Sequence, residues 1–194
     1  MKKQSIIIII GIILVAIIVG VFFMNKKNSE NTEKVKIDNV NDMKAMLKSI
    51  YEKLNDELPT LETAEIDVSD EMQVSAYTGL SSNKDIEKMV ISEPLMNAQA
   101  YSALVIKVKD GANIENIKKD ILDNINMRKW ICVSAEKLYI TNSGNVIFVI
   151  MSNEEWASSV YKEFKNYVNN NIGKELEKSE EENIELPPEM PAAE

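Results

Sequence analysis

The chain has 194 residues, with 22 Lys+Arg against 31 Asp+Glu, no His and one Cys, and a net charge of -9. Without His there is no Ser-His-Asp triad, Cys-His dyad or His-held metal, and one Cys makes neither an internal disulfide nor a Cys-type zinc site. The acidic balance speaks against nucleic acid, whose phosphates require a face of the opposite sign.

The first element is the clearest. Residues 6–24, IIIIIGIILVAIIVGVFFM, carry no charge. As a helix this run is about 28 Å long, close to the ~30 Å hydrocarbon core of a bilayer. In lipid the helix is enforced even on β-branched residues, because unpaired backbone groups there cost several kcal/mol each. The run is longer than a signal-peptide core, and no A-x-A pattern follows it. The sequence therefore predicts a retained single-pass anchor over 6–24, spanning the membrane once. Lys2 and Lys3 in the short head 1–5 resemble a secretory n-region. They place that head in the cytoplasm and the bulk of the chain outside it, although Lys26, Lys27, Lys34 and Lys36 follow the span.

Residues 25–36 are polar and read as a linker. Residues 37–173 form the folded, extracytoplasmic domain, and 174–194, with eight Glu against two Lys and three Pro near its end, read as an acidic disordered tail. Within the domain, Val40, Met43, Leu47, Ile50 and Leu54 predict a helix over 41–57, capped by Asn39 or Asn41 and stopped by Pro59. Short strands are expected near 64–68 and 74–77, and Met89 to Ile91 partners the strand 101–108, which is apolar on both faces. A helix over 113–126 starts at Asn113 after the Asp110-Gly111 turn. Lys129 to Val133 reads as the next strand, parallel to 101–108. Leu138 to Ile140 and Val146 to Met151 make a hairpin around Gly144. The last helix opens on a capping box at Ser152-Asn153-Glu154-Glu155, buries Trp156, Val160, Phe164 and Val168, and ends at Gly173. The class is α+β: a mixed, largely antiparallel sheet of about four to five strands, with about three helices packed on one face.

Motifs for chemistry are sparse. Ser134-Ala135-Glu136-Lys137 matches the S-x-x-K of penicillin-binding enzymes. However, Ser134 follows a strand rather than opening a helix, no K-T-G exists, and two further S-x-x-K matches show that the pattern is cheap in this chain. Asp67, Asp70 and Glu71 lack EF-hand spacing and read as a solvated turn. No Gly-rich phosphate loop is present, so no cofactor, metal or catalytic residue is assigned. The candidate binding patch is Arg128, Lys129 and Trp130 with Glu136 and Lys137, where the only Arg and one of two Trp meet charged neighbours. The plainer alternative is that Trp130 is core and its basic neighbours are solvated.

The stretch from Ala100-Tyr101-Ser102-Ala103 through Arg128-Lys129-Trp130-Ile131-Cys132-Val133, Glu136-Lys137 and Gly144 to Val149–Met151 resembles an uncharacterised family of Gram-positive bacteria, mainly anaerobic Firmicutes. These small, secreted or membrane-tethered proteins are known as a domain of unknown function. The resemblance covers roughly residues 40–170. Many members carry a lipoprotein Cys, which this chain replaces with a helix. No catalytic residue can be carried over. The resemblance implies an accessory role in acylating cell-surface polymers, beside membrane-bound acyltransferases. Three functions are therefore in play. The first is a non-enzymatic, partner-binding protein of the cell envelope; the second is a small hydrolase using carboxylates or Lys; the third is a ligand sensor.

Overall fold

Two strands dictate the architecture. All of β5 (Val146–Ser152) is buried, and so is every residue of β3 (Tyr101–Val108) except Lys107. A strand that is apolar on both sides needs a layer on each. The computed structural model describes residues 35–54, 58–96 and 98–180, and it shows three layers. The six-stranded sheet adds β1 (Leu61–Ile66), β2 (Ile86–Pro94), β4 (Lys137–Ser143) and β6 (Leu176–Ser179), in the order β1-β2-β3-β5-β4-β6. Every neighbouring pair is antiparallel.

Helices α1 (Val40–Tyr51) and α4 (Glu154–Tyr167) cover one face, and α2 (Glu71–Thr78) and α3 (Ile114–Asn124) the other. On the α1/α4 side, Met43, Met46, Leu47, Val160 and Phe164 pack on Val105, Phe148 and Ile150. On the α2/α3 side, Val74, Ile117 and Ile121 pack on Met89, Leu104, Ile106 and Val149. The expectation of helices on one face is corrected, because both faces of β3 and β5 are apolar and each must be removed from water.

The expected parallel pairing of 101–108 with 129–133 is corrected as well. β3 does continue through α3 to a strand that runs parallel to it, but that strand is β4, and β5 lies between the two, antiparallel to both. β5 repeats the device, continuing through α4 to β6 with β4 between. Both crossovers step the same way across the sheet from strands of opposite direction. To share one hand they must leave through opposite faces, and α3 and α4 do so. Residues 129–133 form no strand. Cys132 sits at φ +61, a conformation that breaks extended backbone.

Local signals explain the helix starts. Asn39 caps α1 in a reciprocal box with Asp42. Asn113 caps α3, and Asn153 rather than Ser152 caps α4. Ser152 instead ends β5, where its hydroxyl donates to the Ala100 carbonyl at 2.7 Å. α1 stops at Tyr51, well before Pro59, where Lys53 N–H to Ile50 and Leu54 N–H to Tyr51 tighten the chain. The stretch 74–77, expected as a strand, lies in α2, between the Asp70 cap and Gly79 at φ +76. α4 ends at Tyr167, ahead of Gly173, with Asn169 and Asn170 at φ 55 and 56. Gly173 serves a different purpose: a Cβ there would lie 2.2 Å from Asn142 Oδ1, so only glycine lets the chain come alongside β4.

The anchor 6–24, its head 1–5 and the linker up to Lys34 lie outside the described residues. Among the described residues no helix is long and apolar enough to cross a membrane. Residues 176–179, counted in the expected tail, form β6 on the edge of β4; residues 181–194 lie outside the described residues. The chain meets the sheet near Asp38, whose carbonyl accepts from Lys107 at the end of β3. It leaves at Glu180, which bonds to Glu136 beside the start of β4.

Candidate functional site

The register brings one end of the sheet into focus. Pro94 ends β2 opposite the start of β1, and Tyr101 and Lys137 both pair with Ser152. The β2–β3 connection (95–100) and the α3–β4 connection (125–136) therefore emerge at the same pole. The five candidate residues lie here, but they do not form one patch.

Lys129 and Trp130 come together. Trp130 is buried in the α2/α3 core, as the plainer reading had it. Lys129, expected to be a solvated neighbour, is instead drawn inward. Its ammonium forms an ion pair with Glu93, donates to Ser102 Oγ at 3.1 Å, and lies 5.2 Å from the Tyr77 ring and 5.3 Å from the Trp130 ring. Burial holds the Lys129 pKa below its ordinary value, and the Glu93 carboxylate opposes that shift. A Lys hydrogen-bonded to Ser is the geometry of a Ser-Lys base. Here Ser102 is fully buried in a central strand, and Glu93 stabilises the ammonium rather than the free amine. Ser102 itself has no exposed surface, and the three side chains tie β2 and β3 to the segment after α3.

Arg128 turns outward and pairs with Glu180. Glu136 accepts from the Glu154 N–H at 3.0 Å, placing a carboxylate at the positive end of α4. Lys137 lies on the other side of the sheet from Lys129. It is 3.2 Å from Ser179 Oγ, 3.4 Å from Glu177 and 5.3 Å from the Tyr139 ring. Ser134 and Lys137, the S-x-x-K pair, belong to a loop and a strand with no helix to align them. Asp67 closes a turn on Ser69 and Asp70 caps α2, as expected of a solvated turn.

The sequence reading missed the feature that dominates this pole. Leu95 is 64% exposed, Met96 72%, Ile131 70% and Val133 37%. Scattered exposed apolar residues are ordinary, and these four stand on two loops at one pole. Two of them were hidden inside the strand expected over 129–133. The other two were visible as an apolar pair following Pro94, where no strand or helix could bury them.

A concavity of about 510 Å³ lies between α4 and β6, on the α1/α4 side of the sheet. Among the described residues, no cluster of Cys, Asp and Glu could hold a metal ion. No family model, curated protein or solved structure matches the chain.

Proposed function

We propose that this protein is a membrane-anchored, extracytoplasmic, non-enzymatic module that binds a protein partner in the cell envelope. The single observation that carries the reading is the apolar pole made by Leu95, Met96, Ile131 and Val133. Burying these side chains against a partner releases ordered water at roughly 25 cal/mol per Å² of apolar area. A few fully desolvated side chains near the centre, rather than rim charges, supply most of the energy at protein interfaces. The uncharged run 6–24 supports the anchor, and the head with Lys2 and Lys3 supports an orientation with the domain outside. The resemblance of residues 40–170 to a tethered Gram-positive family favours the same place. It extends the reading to accessory service in modifying surface polymers.

The test is a crosslinked pull-down from native membranes with the full chain and with L95E/I131E. The wild type recovers one specific membrane or envelope protein, and the double variant, equally abundant, loses it. Recovery that is unchanged by the substitutions refutes the reading. Orientation is tested at Cys132, which is exposed. A membrane-impermeant thiol reagent labels it in intact cells if the domain lies outside, and labels it only after lysis if it does not.

A further inference from the structure

We propose that the cleft between α4 and β6 is a binding site for a small zwitterion of the amino acid or dipeptide class. The proposal stands independently of the apolar pole. The cleft exists because α4 packs over β4 and β5 but stops short of the edge strand, leaving the outer side of β6 uncovered. Its volume of about 510 Å³ suits a small ligand.

Its two walls have opposite charge. α4 contributes Ser158, Lys162 and Lys165, one stripe at helical spacing. The strand side contributes Glu175 and Glu177. At one point the walls already meet: Lys165 Nζ lies 3.1 Å from Glu175 Oε2, which also accepts from the Tyr161 hydroxyl at 2.7 Å. This contact satisfies Lys165 and Glu175 within the protein. Beside it, Lys162 is exposed and has no ion-pair partner among the described residues. Glu177 is 64% exposed and, among the described residues, is paired with Lys137 at 3.4 Å. Lys162 and Glu177 line the same opening but do not pair with each other. A ligand carboxylate on Lys162 and a ligand ammonium on Glu177 would complete the row.

Two rival chemistries fit less well. A sugar ring needs a free aromatic face. Tyr139 and Tyr161 are stacked on one another at 4.8 Å, and their outer faces are capped by Lys137 at 5.3 Å and Lys165 at 4.9 Å. A simple anion would face the repulsion of Glu175 and Glu177.

The experiment uses the full chain in detergent micelles, labelled with 3-fluorotyrosine and titrated with dialanine, N-acetyl-dialanine and dialanine amide. The fluorine resonances of Tyr139 and Tyr161 report on the cleft. Dialanine is expected to shift them saturably in the millimolar range, and capping either end should weaken binding about threefold to fivefold, the worth of the one exposed ion pair it removes. K162Q and E177Q should each weaken binding about threefold to fivefold, the scale of an exposed ion pair. The absence of a saturable shift, an affinity that neither cap changes, or indifference to both substitutions overturns the proposal.

Discussion

Lys118 offers the sharpest test of how this fold is held together. Its side chain is wholly buried under α3, yet all three of its ammonium protons have acceptors. These are Asn142 Oδ1 at 2.7 Å, the Lys174 carbonyl at 2.7 Å and Glu115 Oε1 at 2.8 Å. The lysine therefore ties α3 to β4 and to the segment that leads into β6. Lys118→Met keeps the volume and removes the donors. Two effects oppose one another. Eliminating a buried charge recovers several kcal/mol of desolvation. Against that stand the loss of charge-assisted hydrogen bonds worth roughly 1.5–3 kcal/mol each and about 1–3 kcal/mol for a buried acceptor left unpaired. Glu115 is 54% exposed and rehydrates freely; Lys174 is also exposed, so its carbonyl can turn to water. The one stranded group is Asn142, 9% exposed. The expected net loss is about 1–3 kcal/mol, read by urea unfolding of the full chain in mild detergent through Trp130 and Trp156 fluorescence. Hydrogen exchange should rise first in β6, whose approach the lysine tethers. A variant within about 0.5 kcal/mol of wild type, the ordinary range of a surface substitution, with unchanged protection of residues 176–179, would refute the view that Lys118 is a clamp.

Further outcomes follow from the same contacts. Phe148 and Phe164 stack at 4.2 Å and both are fully buried, so Phe164→Ala is expected to cost about 3–5 kcal/mol in the same unfolding assay. Gly79→Ala combines a left-handed φ of +76 with a Cβ placed 2.5 Å from the Asn124 backbone, and should cost about 2–4 kcal/mol. The phenols predict the response to alkali. Burial pushes Tyr51 up to about 12, and burial with the Glu154 hydrogen bond pushes Tyr139 up to about 12; Tyr101 and Tyr161 are also raised. Above pH 10 the unfolded chain has lost protons that the folded chain retains. The stability supplied by these groups is therefore complete below about pH 10 and declines from there toward pH 12. Phenolate absorbance at 295 nm should rise later in the native protein than in urea, and coincident titrations would refute the assignment. Ser102→Ala should leave partner recovery and any cleft binding unchanged while weakening stability by about 0.5–1.5 kcal/mol, the worth of one hydrogen bond. Loss of function with stability intact would revive a role for the Ser102–Lys129 pair.

Much of the fold could be read from residue patterns. The hairpin around Gly144, at φ +56, the strand 101–108 and the caps at Asn39 and Asn113 follow from local chemistry, and the structure contains each. The second helical layer was also legible in principle, because β3 and β5 are apolar on both sides and one layer cannot cover two faces. Strand neighbours were harder. The separation between 101–108 and the following segment allows a crossover, but nothing local says that β5 will be inserted into the gap. In α2 a single buried residue of the helix body, Val74, gives no period to count, and only the flanking Asp70 and Gly79 mark a helix. At the candidate patch, composition brought five residues together, whereas the sheet sets Lys129 and Lys137 on opposite sides. The cleft left no trace in any one segment, since its walls come from residues 158–165 and 175–177 and meet only through the sheet order.

The route of the chain through the sheet has a practical corollary. Its first described residues sit by the foot of β3 and its last by the head of β4, so the domain behaves as a spacer with terminals at opposite poles. A strand of this length separates them by roughly 20–25 Å. A reporter joined directly after Glu180 would stand at the pole that carries Leu95 and Ile131, whereas one inserted just ahead of Val35 would start from the other pole.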